Sequence, residues 1–188
     1  MNLTYEEELK NIVQHLKNGH VILYPSDTNW VIGCDSENEN AIEKIKDIIT
    51  DSSFTLLMTD ARQIAKFIAD PIPDLQSIID AQAETINIIY PNAINLSNQL
   101  LNIDGSVNIR VTQDSFCRSL IKRIRKPIIE VMASLSNQEL PISFDDIDLS
   151  IVTKVDYPVK YRQQEKNMGK AIQCLKIHAN GSLSKFTN

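Results

Sequence analysis

The stretch with the most obvious chemical potential is a polar turn between two apolar runs. Residues 20–24 and 30–34 are rich in β-branched and aromatic side chains, and a Pro-Ser-Asp-Thr segment lies between them. This pattern predicts two strands that are joined by a rigid turn. Ser26, Asp27 and Thr28 offer hydroxyl and carboxylate groups at strand ends, where loops commonly bind small polar ligands. An ordinary structural turn is the alternative interpretation.

A second candidate is a row of basic side chains in a predicted helix over residues 115–125. Arg118, Lys122 and Arg125 are spaced i, i+4 and i+7, so they share one helical face. Such a stripe is typical of a surface that contacts RNA or another phosphate polymer. The solvated face of an amphipathic helix has the same pattern. Because the net charge is −5, RNA contact would have to begin at this stripe.

The cysteines and histidines predict neither a metal site nor a disulfide framework. Cys34, Cys117 and Cys174 are far apart, odd in number and form no CxxC pair. The three histidines show no spacing typical of metal ligands. These features favour a reducing, cytoplasmic setting. No apolar run approaches the ~20 residues that span a bilayer, so no membrane association is expected.

The 188 residues are expected to form one domain, residues 1–188. Helical periodicity and β-branched runs are interspersed, and hairpin signals such as Asn180-Gly181 are frequent. This mixture favours an α/β or α+β fold with a twisted mixed sheet covered by helices. Helices are predicted over residues 4–17, 41–49, 60–70, 74–83 and 115–125, and strands over 54–58, 85–90, 93–96, 107–111, 128–132, 152–155, 171–177 and 182–186.

Five sequence segments, taken together, resemble those of a known family. They are NGHVILYPSDTNWVIGCD, YPNAINL, DGSVNIRV, VMASLSNQELP and VDYPVKYRQQEKNMGKAIQCLKI. In their order and separation, nearly the whole chain resembles the YrdC/YciO family. The resemblance implies a twisted, mostly parallel α/β sheet with flanking helices around a concave cavity. It also implies binding of tRNA or double-stranded RNA or, in active members, synthesis of threonylcarbamoyl-AMP from ATP, L-threonine and bicarbonate for tRNA modification.

The resemblance assigns candidate binding residues position by position. The family's Pro-Thr-Asp-Thr-x-Tyr-Gly-Leu segment is similar to residues 25–32. Ser26, Asp27, Thr28 and Trp30 are therefore candidate substrate- or nucleotide-binding residues. Asp27 and Thr28 would fix an ammonium or hydroxyl group, and Trp30 would stack on a base or close the pocket.

Two further segments add candidates by the same resemblance. The family's Gly-x-Arg segment keeps its arginine as Arg110, whose guanidinium fork suits phosphate or carboxylate. A surface arginine at a strand end is the alternative. The family's Ser-Ala-Asn-x-Ser-Gly segment falls on residues 132–137 and adds Ser134, Ser136 and Asn137 to the candidate binding residues.

Other positions lack the polar groups of the family's motifs. Val31 replaces a glycine and Met132 replaces a serine, while two hydroxyl donors are missing at residues 169–171. The family's Lys-x-Arg pair falls on the Ile-Thr-Asp of residues 49–51, so both cations are missing. A triphosphate needs cationic partners where its charge is concentrated. The pattern therefore predicts the family's fold with weak or lost synthase chemistry.

Three functions remain open from the sequence. The first is a binding module, with no required cofactor, for a small anionic ligand, a nucleotide, tRNA or double-stranded RNA. The second is an active synthase, a nucleotidyltransferase that uses ATP with Mg and compensating cations such as Lys44, Lys46 or Lys170. The third is an interaction protein whose cavity is filled by Val31 and Met132. No catalytic residue is assigned, and a monomer or homodimer is expected.

Overall fold

The computed structural model describes residues 4–50, 53–72, 75–80, 85–136, 138–166, 172–178, 180 and 182–187. Its helices are α1 (Tyr5–Lys17), α2 (Glu39–Ile48), α3 (Leu75–Asp80), α4 (Ser115–Ile124) and α5 (Leu149–Lys154), with 3₁₀ turns at Ala61–Lys66, Asn98–Leu100 and Phe144–Asp146. Its strands are β1 (Ile22–Pro25), β2 (Trp30–Asp35), β3 (Thr55–Met58), β4 (Ile86–Tyr90), β5 (Val107–Val111), β6 (Ile128–Met132), β7 (Tyr157–Pro158), β8 (Gln173–Ile177) and β9 (Leu183–Thr187).

The nine described strands form one sheet in the order β7-β1-β2-β6-β3-β5-β4-β8-β9. The pairs β1–β7, β3–β5 and β4–β8 are parallel, and the other five pairs between described strands are antiparallel. The predicted mixed α/β fold is confirmed. Parallel pairs are nevertheless the minority here. Two of the antiparallel pairs, β1–β2 and β8–β9, are hairpins, and short hairpin connections can join only antiparallel neighbours.

Local signals in the sequence explain why the first helix begins and ends where it does. The Thr4 side chain accepts a hydrogen bond from the Glu7 amide, and the Glu7 carboxylate accepts one from the Thr4 amide. This capping box satisfies two helix-terminal amides. Gly19 follows the helix with φ +77°, a left-handed conformation that glycine adopts without a Cβ penalty.

The sheet has an apolar face and a second face that is divided in two. Register places Ile32, Leu56, Ile109 and Ile129 on the apolar face, where they form the main core cluster with α2 and the 3₁₀ turn at Ala61–Lys66. On the second face, α1 and α4 cover the part near β1 and β2 with a smaller apolar cluster. The remainder of that face carries polar side chains and borders a cavity. The fold therefore exposes a polar half-face of the sheet to a potential ligand.

Several predicted elements differ from the structure. Residues 93–96 were expected to form a strand, but only Ala93 makes an isolated bridge, to Ile68. Asn92 and Asn95 have positive φ values, which interrupt an extended conformation. The predicted helix after Asp60 is a 3₁₀ helix over Ala61–Lys66.

The C-terminal third contains one wrong prediction and one that is confirmed. Residues 152–155 were expected to pair at a sheet edge, but most of them belong to α5, which Asp148 caps through its side chain. The edge position next to β1 is taken instead by the two residues of β7. The hairpin of β8 and β9 is confirmed. Gly181 of the predicted turn and the ends of the predicted helix 74–83 lie outside the described residues.

Candidate functional site

A cavity of about 1660 Å³ lies against the polar half-face of the sheet. Strand register places Glu130, Thr55 and Asn108 side by side in one row, because Thr55 pairs with Glu130 on one side and with Asn108 on the other. All three side chains line the cavity, together with Asn87 of β4. A ligand in this space would therefore meet carboxamide, hydroxyl and carboxylate groups that are supported by the central strands.

Arg110 is the charged centre beneath this wall. Its side chain is fully buried, at 0% exposure, although β5 is otherwise a largely apolar strand. Its Nη2 atom forms ion pairs with Glu130 and, at 3.2 Å, with Asp27, and it donates a hydrogen bond to Ser26 Oγ at 3.0 Å. Its Nη1 atom donates to Asn87 Oδ1 at 3.3 Å. The guanidinium is thus held by protein groups on two sides.

The two carboxylates beside Arg110 have further donors of their own. Glu130 Oε2 accepts hydrogen bonds from Tyr24 Oη at 2.9 Å and from Ser26 Oγ at 3.0 Å. Asp27 Oδ2 accepts from Thr112 Oγ1 at 3.1 Å. Burial raises the pKa of Tyr24 well above its usual value, so the phenol stays protonated and can donate. One guanidinium and two carboxylates leave this cluster with a formal charge of −1.

Gly33 makes room for the ring of Tyr24. Gly33 pairs directly with Glu130 across β2 and β6 and with Ile22 across β1 and β2. A Cβ atom at this position would lie 2.8 Å from the Tyr24 ring and 2.5 Å from the carbonyl oxygen of Ile129. Both distances are shorter than carbon atoms tolerate. The absence of a side chain at position 33 therefore allows Tyr24 to reach Glu130.

The structure brings together three of the predicted site residues, whereas Thr28 and Trp30 of the first motif are buried outside that cluster. Ser26, Asp27 and Arg110 form one cluster, as described above. Thr28 is fully buried, with no hydrogen-bond partner for its hydroxyl among the described residues. Trp30 is also fully buried in the main core, with its ring edge-on to Phe144 at 5.0 Å between centroids. In this arrangement the Trp30 ring offers no face to a base in solution.

The candidates from the third motif lie in the loop after β6, near the edge of the cavity. Ser134 is half-buried and donates within its own loop, to the carbonyl oxygen of Leu135 at 3.3 Å. Ser136 is exposed and donates to the carbonyl oxygen of Thr50, a residue that lines the cavity, at 3.4 Å. Asn137 lies outside the described residues. The structure therefore places Ser136 at the rim and leaves the assignment of Asn137 as a prediction.

The cavity wall carries an apolar residue where the family's motif has its lysine. Ile49 lines the cavity at that position, beside Thr50 at the variable position, and residue 51, at the position of the arginine, lies outside the described part of the chain. Val31 and Met132 line the cavity too, without filling it. The alternative of a cavity filled by these two side chains is therefore wrong.

The predicted compensating lysines have different environments. Lys44 forms an ion pair with Asp156 at 2.5 Å and does not line the cavity. Lys46 lines the cavity, is exposed and lies 5.9 Å from the centre of the Phe54 ring. Among the described residues no carboxylate pairs with Lys46 within 4.0 Å, so it is the compensating cation best placed to meet a ligand. Lys170 lies outside the described residues.

A further lysine of the cavity wall, Lys176, was not singled out from the sequence. It forms an ion pair with Asp104 at 3.0 Å. Hydrogen bonds from Ser106 and then Lys176 lower the pKa of Asp104 to about 2. The carboxylate is therefore ionised and offsets the charge of Lys176.

The basic stripe on α4 is only partly available to a partner. Lys122 and Arg125 are exposed, and Arg125 ends the helix with a left-handed conformation. Arg118 is half-buried, and its Nη1 atom donates to the carbonyl oxygens of Thr59 at 3.2 Å and Thr112 at 3.3 Å. Arg118 therefore links α4 to neighbouring loops, and RNA contact at the stripe stays a prediction that rests on two cations.

Sequence reasoning missed Glu130 and Tyr24, which complete the buried cluster. The missed signal is the composition of β6, in which Glu130 is the one charged residue of an apolar strand, as Arg110 is in β5. A charge is rarely buried in a strand unless an opposite charge accompanies it. The two charged residues, each alone in an apolar strand, would together have predicted a buried ion pair within the sheet.

No metal-binding cluster occurs among the residues that the structure describes, since they contain no group of three His, Cys, Asp or Glu side chains suited to hold an ion. Cys34, Cys117 and Cys174 are free and buried, and burial raises the pKa of each thiol. None is therefore poised as a thiolate nucleophile.

Within the described ranges, no helix is both long and apolar enough to cross a membrane.

The structure defines a mixed α/β protein with a cavity against its sheet, and comparison with known proteins identifies its family. The chain belongs to the Sua5/YciO/YrdC family, whose sequence model, described as telomere recombination, matches residues 14–177. The predicted family is thus confirmed.

Three individual proteins illustrate the similarity. The threonylcarbamoyl-AMP synthase of Pseudoalteromonas translucida (strain TAC 125) is 26% identical over 150 residues, which cover 77% of this chain and 80% of that enzyme. The crystal structure of E. coli YciO has a TM-score of 0.78 at 18% identity, over 95% of this chain and 87% of YciO. The crystal structure of P. abyssi Sua5 complexed with L-threonine also has a TM-score of 0.78, at 13% identity, over 94% of this chain and 52% of Sua5. The two structural likenesses support the fold.

Proposed function

We propose that this protein is a ligand-binding member of the Sua5/YciO/YrdC family in which threonylcarbamoyl-AMP synthase activity is weak or lost. The observation that supports the proposal most strongly is the burial and charge pairing of Arg110. It is fully buried, and Glu130 and Asp27 neutralise it. A guanidinium whose charge is already paired with two carboxylates stabilises the charge of a reacting triphosphate much less than an unpaired one does.

The cavity wall at the Lys-x-Arg positions supports the same proposal. Ile49 offers an apolar side chain where the resemblance implied a lysine, and the neighbouring Thr50 offers one hydroxyl. Removal of one preorganised donor typically costs about 2.7–4 kcal/mol of transition-state stabilisation. Several such losses together leave little of an enzyme's rate, even where they are not additive.

A small polar molecule is the ligand that this wall suits best. The wall presents the side chains of Thr55, Asn87 and Asn108 on rigid central strands. L-threonine is the molecule bound to P. abyssi Sua5, which shares the fold. By this likeness, we propose that an amino acid or a molecule of similar size and polarity occupies the cavity.

An active synthase is the second candidate, and the position of Lys46 favours it. This lysine is the predicted compensating cation that lines the cavity. It is a single, exposed ammonium group, and such groups contribute modestly to binding because water screens them. An active enzyme would therefore have to draw on Lys46 together with residues outside the described part of the chain.

Pyrophosphate release from ATP in the presence of L-threonine and bicarbonate tests the proposal. The threonylcarbamoyl-AMP synthase of P. translucida serves as the positive control under the same conditions. We expect the rate of this protein to be below about one hundredth of the control, because two lost donors correspond to at least that factor. A rate close to the control, and its loss in Lys46→Ala, would establish the active synthase instead.

A further inference from the structure

The carboxylate of Glu130 is held as proteins hold a bound anion. Arg110 donates to Oε1, while the hydroxyls of Tyr24 and Ser26 donate to Oε2 at 2.9 and 3.0 Å. These donors come from β5, from β1 and from the turn after β1, and they converge on one group. A guanidinium with two hydroxyls is a common composition for a site that binds carboxylate or phosphate.

The anion in this site belongs to the protein itself. Glu130 extends from β6, lines the cavity and is only 2% exposed. Its carboxylate therefore occupies the place that a ligand's anionic group would take beside Arg110. Asp27, whose Oδ1 atom lies 3.2 Å from the guanidinium, adds a second negative charge to the same cluster. An incoming anion would find the Nη donors of Arg110 already occupied, and the net negative charge of the cluster would repel it.

We propose that Glu130 is an internal anion that fills the ligand position of Arg110 and so excludes phosphate and carboxylate groups from this wall of the cavity. The ligand then presents an uncharged or cationic group to the wall. The proposal is an alternative to the expectation that Arg110 binds an anionic ligand. The inference adds a ligand preference to the proposed function. It rests on that function because it assumes that the cavity is the binding site.

Substitution of Glu130 by serine tests the inference. Glu130→Ser removes the carboxylate and leaves the donors of Arg110, Tyr24 and Ser26 around a vacated space. Inorganic phosphate is the probe, titrated by calorimetry at constant ionic strength. We expect at least a tenfold gain in phosphate affinity over the unsubstituted protein. The gain should disappear when Arg110→Met is added. Glu139→Ser, which removes an exposed carboxylate from the following loop, is the matched control and should leave phosphate affinity unchanged.

Two results would overturn the inference. One is a cooperatively folded Glu130→Ser variant whose phosphate affinity equals that of the unsubstituted protein. The other is a gain that survives Arg110→Met. If Glu130→Ser does not fold, Glu130→Val replaces it, because valine removes the carboxylate, leaves space beside Arg110 and is well suited to a strand. The same tenfold gain is then expected, and wild-type affinity would contradict the inference. Pyrophosphate release by the unsubstituted protein tests the proposed function separately, so failure of one is distinguishable from failure of the other.

Discussion

The two faces of strands β3, β5 and β6 are built on opposite principles. One face carries Leu56, Ile109 and Ile129, which are buried among other apolar side chains. The other carries Arg110 and Glu130, which are equally buried but depend on each other. An apolar side chain is satisfied by any well-packed neighbour, whereas a buried charge needs one particular partner. The apolar face therefore needs only close packing, whereas the charged face needs each of its particular partners.

The largest expected effect comes from breaking the charged face. Arg110→Met leaves Glu130 and Asp27 as buried carboxylates without their cation. We expect the free energy of unfolding to fall by about 3–5 kcal/mol, because removal of one partner leaves uncompensated buried charge. Urea denaturation followed by circular dichroism measures the loss. Addition of Glu130→Met should recover about 0.5–3 kcal/mol, the usual coupling between contacting residues.

Ile109, the preceding residue on the same strand, provides the matched test of the apolar face. Ile109→Ala should cost about 2–5 kcal/mol through the cavity that it creates. Glu130→Met should not rescue this variant, because Ile109 lies in the apolar cluster on the face of the sheet opposite to Glu130. If both variants were rescued equally, or neither were, the two faces would not differ in the way that we describe.

A smaller effect is expected at Gly33, which supports the charged face without carrying charge. In Gly33→Ala the new Cβ would approach the Tyr24 ring and the backbone of Ile129. Strand β2 is paired on both sides and cannot shift freely. We expect a loss of about 1–3 kcal/mol from overpacking, measured by the same urea denaturation. Unchanged stability would show that Tyr24 does not depend on the space above Gly33.

The sequence predicts the apolar face much better than the charged one. Short apolar runs indicate β3, β5 and β6, and Thr4 with Glu7 indicates the start of α1. The strand expected at residues 93–96 fails because positive φ values at Asn92 and Asn95 are set by the surrounding loop. Pairing of Arg110 with Glu130 joins residues 20 positions apart across two strand interfaces. Each charge stands out in its own apolar strand, but the strand order that brings the two together is not a local pattern, so the candidate site could be predicted only in part.

The central claim is that the cavity offers a triphosphate no effective set of cations, and the most direct test compares ATP with adenosine. Both are titrated by calorimetry into the unsubstituted protein, with the P. translucida synthase as a reference. We predict that ATP binds less than tenfold more tightly than adenosine, because the exposed Lys46 is the one cation of the described cavity wall that no carboxylate pairs with. Binding of ATP that is a hundredfold tighter than that of adenosine, which corresponds to about 2.7 kcal/mol from the phosphates, would contradict the claim.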